Sequence, residues 1–209
     1  MSRARGAPGA FTLAELLVVV GVIGLLLGLA LPVLSGARRH GWLSRARHDL
    51  RQIGMAAEAY LGDYRLYPPA RTFCASMMKS IEDYNHLPPE LVGEGYLPEP
   101  LEDVFNPGRT YKYIAPGYGW ANGARTVLAI WVPNAFPRDH GPGDDRAYFS
   151  QRSSPVSFAT WSVGPAGAKS VFESDMLHYP VPPRHWYPNK RDGIVVYLMT
   201  SEDGPRMSP

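Results

Sequence analysis

From Leu16 to Leu34 the chain carries 19 consecutive uncharged residues, 14 of them Leu, Ile or Val. At about 1.5 Å of rise per residue, a helix of this length crosses a bilayer core of roughly 30 Å. On an insertion scale the 14 branched aliphatics together favour the membrane by about 4–8 kcal/mol. One acid, Glu15, stands at the mouth of the run. A charge at a helix centre costs roughly 2.5–3.5 kcal/mol, and an end position costs less. The sequence therefore predicts an inserted helix in which Glu15 is the least comfortable residue. Its carboxylate is expected to pair with a positive group on a neighbouring chain; an interfacial, hydrated carboxylate is the plainer alternative.

The ten residues before the run, Met1 to Ala10, include Arg3 and Arg5. No Ala-x-Ala site follows the apolar stretch, which is longer than the 7–15 residues of a secretory signal core. The apolar segment is thus expected to remain in the mature protein, with any cut falling in front of it.

A small residue, then Phe11-Thr12-Leu13-x-Glu15, then a long apolar run: this order resembles the cleavage and methylation signal of type IV pilins and type II secretion pseudopilins. The resemblance implies that a prepilin peptidase cuts between Ala10 and Phe11 and that Phe11 becomes an N-methylated terminus. Glu15 would then be the fifth mature residue and Pro32 the twenty-second, both as in the family. One departure is Ala10, where the family usually has glycine. The new amine at Phe11 would be the positive partner for Glu15 of an adjacent subunit, and in low dielectric such a pair is strong. Gly24 and Gly28 form a small-x-x-x-small face that permits close helix approach, although glycine is also ordinary membrane-helix composition. Pro32 is expected to kink or locally open the helix.

Helical periodicity continues beyond the run. Leu43, Ala46, Leu50, Ile53, Ala57, Tyr60 and Tyr64 recur every three or four residues, an apolar stripe facing a core. Arg38, Arg39, Arg45, Arg47 and Arg51 cluster here, and a count of juxtamembrane Lys and Arg favours a cytoplasmic head. The processing signal argues the opposite orientation and is given more weight. A nucleic-acid role is not expected, because aromatic residues are not interleaved with the arginines and net charge is only +2.

After residue 64 proline becomes dense, which excludes long helices. Predicted strands cover 110–114, 125–132, 156–163 and 193–200, a short helix covers 74–84, and 201–209 reads as a frayed tail. The lone Cys74 cannot form an intramolecular disulfide and reads as a small apolar residue. The expected organisation is a leader over 1–10, a transmembrane helix over 11–34, an amphipathic helix over 35–64 and a globular head over 65–209. The fold class is α+β: a long N-terminal helix packed on a small β-rich, pilin-like head.

The head adds shorter resemblances to pseudopilins. Tyr67-Pro68-Pro69 follows the helix, Asn106-Pro107 leads to Tyr111-Lys112-Tyr113, and Ser162-Val163-Gly164-Pro165-Ala166-Gly167 is similar to a Ser-x-Gly-x-Asp-Gly turn with Ala166 in the acidic place. A further segment, Asp192-Gly193-Ile194-Val195, resembles a Gly-Asp-Ile stretch of some pseudopilin-like proteins. Some major pseudopilins bind calcium in a C-terminal loop. Calcium requires oxygen ligands, so Glu173 and Asp175 are the positions the resemblance raises, with Asp139, Asp144 and Asp145 as a second acidic cluster. Solvated acidic loops explain both more simply. No cofactor is required.

Catalysis has little support. His140, His178 and His185 lack zinc-ligand spacing, and no Gly-x-Ser-x-Gly elbow occurs. The expected function is a structural subunit of a secretion pseudopilus or pilus-like filament in the bacterial inner membrane, with its head outside the cytoplasm. Its expected partners are other such subunits, the prepilin peptidase and an inner-membrane assembly platform. A membrane-anchored binding protein that does not polymerise is the alternative, and a membrane-tethered enzyme a third.

Overall fold

The computed structural model of the protein describes residues 12–72, 84–141, 143–165, 167, 180–190 and 193–209, without the side chains of 30–35. The chain divides into two units, one ending at Gly41 and one running from Trp42 to Pro209. Helix α1, Leu13–Tyr64, is 52 residues long and contributes to both. It begins on an acid in its first turn, Glu15, where the helix dipole favours negative charge. It ends where Arg65 adopts a left-handed conformation (φ 62°) and donates its N–H to the Leu61 carbonyl at 2.8 Å. This is an αL-type stop, and the prolines at 68 and 69 prevent any resumption.

In the first unit α1 leaves its described apolar side chains in the open, from Leu13 at 82% to Leu29 at 66% exposure. Among the described residues no helix is long and apolar enough to cross a membrane. The uncharged stretch with described side chains, Leu16 to Leu29, is 14 residues, about 21 Å of helix. The expected span of 11–34 also takes in residue 11 and the side chains of 30–34, which lie outside the description.

In the second unit the stripe on α1 is buried at Leu43, Ala46, Leu50, Ile53 and Ala57. It fades at the half-buried Tyr60 and ends before Tyr64, which is 48% exposed. Three sheets form the rest of this unit among the described residues. In the first, β1 (Arg71–Thr72), β3 (Gly117–Ala121) and β4 (Ala124–Leu128) lie in the order β1-β3-β4. In the second, β2 (Lys112–Ile114), β7 (Val156–Ser162), β8 (Val195–Thr200) and β9 (Gly204–Met207) form an antiparallel sheet in the order β2-β7-β8-β9. Strands β5 (Ile130–Pro133) and β6 (Asp145–Tyr148) form an antiparallel pair. A single helical turn, α2, covers Glu90–Gly93.

Strands β7 and β8 are buried at every residue. β8 reads as a nearly continuous apolar run, whereas β7 interleaves the buried Ser157, Thr160 and Ser162 with Val156, Phe158, Ala159 and Trp161. The core gathers Trp161, Phe158, Tyr111, Tyr113 and Leu198 with the α1 stripe. The architecture is α+β.

Several expected boundaries shift. The single strand expected over 125–132 is two, an exposed β4 and a largely buried β5, in different sheets. The strand expected from 110 begins at Lys112, and Thr110 instead makes an isolated bridge to Glu102. The tail expected to fray is held: β9 pairs with β8 from Tyr197–Met207 to Thr200–Gly204. Beyond it, the Ser208 hydroxyl accepts the Val196 N–H at 3.0 Å and Ser208 is buried. The expected helix lies outside the described residues except for Tyr84, as does Cys74.

Candidate functional site

At the head of α1, Thr12 and Glu15 form a reciprocal pair. The Glu15 N–H donates to the Thr12 hydroxyl at 3.2 Å, while the Glu15 carboxylate accepts the Thr12 N–H and hydroxyl at 2.8 Å each. This is a capping box, in which residues three apart satisfy each other's unpaired helix-end groups. Glu15 thus has a partner within its own chain, one that sequence reasoning missed. The signal was legible: Thr-x-x-Glu immediately before an apolar run.

Gly21, Gly24 and Gly28 are open. A Cβ built at any of them would meet no atom within 4 Å. With the exposed leucines and valines around them, they make a smooth apolar surface that no described part of the chain covers. Ala10 and Phe11, the expected processing pair, lie outside the described residues, as does the side chain of Pro32.

In the second unit the Ser162-Val163-Gly164 turn is built on an acid that sequence reasoning did not single out. The Asp103 carboxylate accepts the Ser162 hydroxyl at 2.6 Å, the Val163 N–H at 2.8 Å and the Phe105 N–H at 3.0 Å. Gly164 donates its N–H back to the Ser162 hydroxyl at 3.1 Å. Gly164 has φ 79°, and a Cβ there would strike the Gly193 carbonyl, so no other residue fits. Burial pushes the Asp103 carboxyl above its ordinary range, against the pull of its three donors and of Lys112. A second polar link ties α1 to this region: the Tyr111 hydroxyl donates to Asp49 at 2.9 Å.

The acidic cluster resolves into an ion-pair clamp. Arg184 donates through its guanidinium to Asp139 and, at 2.5 Å, to Asp145, and through its backbone N–H to Asp139 at 3.0 Å. Asp139 also accepts the Gly141 N–H at 3.1 Å, and Asp144 accepts the Asn134 side-chain amide at 3.3 Å. Burial opposes ionisation of Asp139, but the backbone N–H groups and the Arg184 guanidinium outweigh it and hold the carboxyl below its usual range. Two of the three carboxylates therefore share one guanidinium, which offsets one of their two negative charges. Among the described residues no group of three or more His, Cys, Asp and Glu is placed to hold a metal. Glu173, Asp175, Ala166 and His178 lie outside the described residues.

These arrangements hold a helix end and fasten a head; they assemble no reacting constellation. Over 114 residues the chain is 30% identical to the type II secretion system core protein G of Pseudomonas aeruginosa, an alignment covering 54% of this chain and 78% of that protein. The chain belongs to the pilin-like family of that core protein. No family model matches this pilin-like chain. No solved structure matches it either. Helix and β-rich part accord with the fold that the sequence resemblance implied.

Proposed function

We propose that this pilin-like chain is a structural subunit of a type II secretion pseudopilus or a related pilus-like filament, made as a precursor and trimmed between Ala10 and Phe11. The observation that carries the reading is the bare apolar surface of α1 from Leu13 to Leu29. Contiguous exposed apolar surface on this scale is a site for membrane or protein contact. Before assembly, lipid covers it, with the head on the non-cytoplasmic side of the inner membrane. In the filament, neighbouring helices cover it, approaching closely at Gly24 and Gly28, with Pro32 relaxing the helix between the two environments.

Trimming creates an ammonium at Phe11. Paired with Glu15 of the next subunit, it fixes the axial stagger. The capping box adds a step to this picture: the Glu15 carboxylate exchanges its Thr12 donors for the incoming amine. The partners are further copies or related subunits, the prepilin peptidase and the assembly platform. Calcium at Glu173 and Asp175 is not needed for this role.

Mass spectrometry of the mature N-terminus tests the reading. The expected product starts at an N-methylated Phe11. Mature protein that still begins at Met1, or begins beyond residue 34, overturns it. An intact, monomeric protein would instead favour an anchored binding protein.

A further inference from the structure

One face of the β1-β3-β4 sheet is a groove of about 630 Å³. Its floor is set by register: Tyr118 lies opposite Val127 and Trp120 opposite Arg125, so all four side chains share that face. Tyr60 and Tyr64 of α1 form one wall, and Phe149 and Arg152 contribute another. The surface is apolar and open, with Tyr118 at 70% and Phe149 at 58% exposure. The ionic side chains lining it are Arg125, whose guanidinium lies 5.1 Å from the Tyr118 ring centroid, and Arg152; no acid lines it. Glu94 does not line the groove but takes a hydrogen bond from the wall residue Tyr64. Aromatic troughs of this kind accept proline-rich extended segments, and two arginines select an acidic one.

The same chain displays such a segment. Pro98, Glu99 and Pro100 are exposed in a strap tied down at both ends by the buried Leu97 and half-buried Leu101. Leu97 donates its N–H to the Leu91 carbonyl at 2.7 Å, and Leu101 accepts the Tyr111 N–H at 3.3 Å. The segment is therefore presented pre-shaped, which lowers the ordering cost of binding. No strap residue lines the groove of its own chain. Tyr96 packs on Tyr60 with ring centroids 5.6 Å apart, and Phe105 on Trp42 at 6.0 Å. From Tyr60 back to Trp42 is about 27 Å along the helix, so the strap leads away from the groove toward the other end of this part of α1. Groove and strap are thus different patches of one subunit, and a head-to-tail contact between them extends copies into a filament where the rotation does not close a ring.

We propose that the groove of one subunit receives the Pro98-Glu99-Pro100 strap of a second copy, with Glu99 set against Arg125 and Arg152. The inference rests on the filament reading for its repeating partner.

Photo-crosslinking of the full-length chain in cells tests it, with a benzophenone amino acid placed at Tyr118 in one strain and at Leu25 in another, and adducts mapped by mass spectrometry. The Tyr118 probe is expected to join residues 97–101 of a second copy. Arg125→Glu and Glu99→Arg should each lower that adduct about tenfold, and the two together should restore it. Adducts from Tyr118 that map elsewhere on the chain, to a saccharide or to another protein, overturn the inference, as does failure of the paired reversal to restore. A ladder from Leu25 without the Tyr118 adduct overturns the inference and leaves the filament standing. The Tyr118 adduct without a Leu25 ladder supports the inference and counts against the filament. Absence of both overturns both.

Discussion

Gly54 and Tyr197 compete for one volume. A Cβ at position 54 would lie 2.5 Å from a ring carbon of Tyr197 and 2.8 Å from its hydroxyl. Glycine inside a helix costs about 1 kcal/mol relative to alanine, and here the cost is offset by letting a β8 tyrosine lie against α1. Gly54→Ala is expected to lose about 1–2 kcal/mol net, the overpacking exceeding the propensity gain. Adding Tyr197→Leu should recover most of that loss, which a double-mutant cycle by urea denaturation reads directly. Asp103 is a different kind of constraint. Its two oxygens face three donors, so Asp103→Asn would aim an amide N–H₂ at a donor. A loss of about 1–3 kcal/mol is expected, measurable by the same denaturation. Asp139 carries the acid sensitivity. Its carboxyl is held below the ordinary range of about 4, so its contribution is present above the unfolded-state value and is lost as pH falls through the folded-state value. Arg184→Met should flatten the acid limb of the stability profile and lower stability at pH 7 by about 1–3 kcal/mol.

Elements differ in how far the sequence announced them. The helix was legible because its stripe repeats over many turns, and each of Leu43, Ala46, Leu50, Ile53 and Ala57 is buried as the spacing required. β8 was legible because a strand buried on both faces is a nearly uninterrupted apolar run, and β7 because its β-branched and aromatic residues outweigh the serines between them. β9 was not: Gly204-Pro205-Arg206-Met207 has no strand-like pattern, and it forms because β8 offers it an edge. The break at Ala129 was hidden because β4 and β5 are both β-prone and differ only in burial. The Arg184 clamp was invisible to spacing, since its partners lie 45 and 39 residues away in sequence. The Thr12–Glu15 box, by contrast, was local and could have been read. Truncation after Ser201 would bare the β8 edge and remove the Ser208 bond to Val196. A loss of about 2–4 kcal/mol is expected from the ladder bonds and the Met207 packing, with a rise in aggregation at the uncovered edge, measured by thermal melting and light scattering.

At the scale of the molecule, the two units impose opposite demands. The second satisfies itself, with a core drawn from helix and sheets. The first displays apolar surface that its own described residues leave bare. Replacing both Gly24 and Gly28 by leucine should leave folding of the second unit and membrane abundance unchanged while shortening the crosslinked ladder severalfold, because leucine holds neighbouring helices apart. Glu15→Ala should likewise insert and fail to assemble, read as monomer in the same assay. The corner fastened by Arg184 behaves otherwise under changing surroundings. Its counter-ion is covalently part of the polypeptide and cannot be dialysed away. Chelators and swings in divalent concentration are therefore expected to leave the Arg184 corner in one shape.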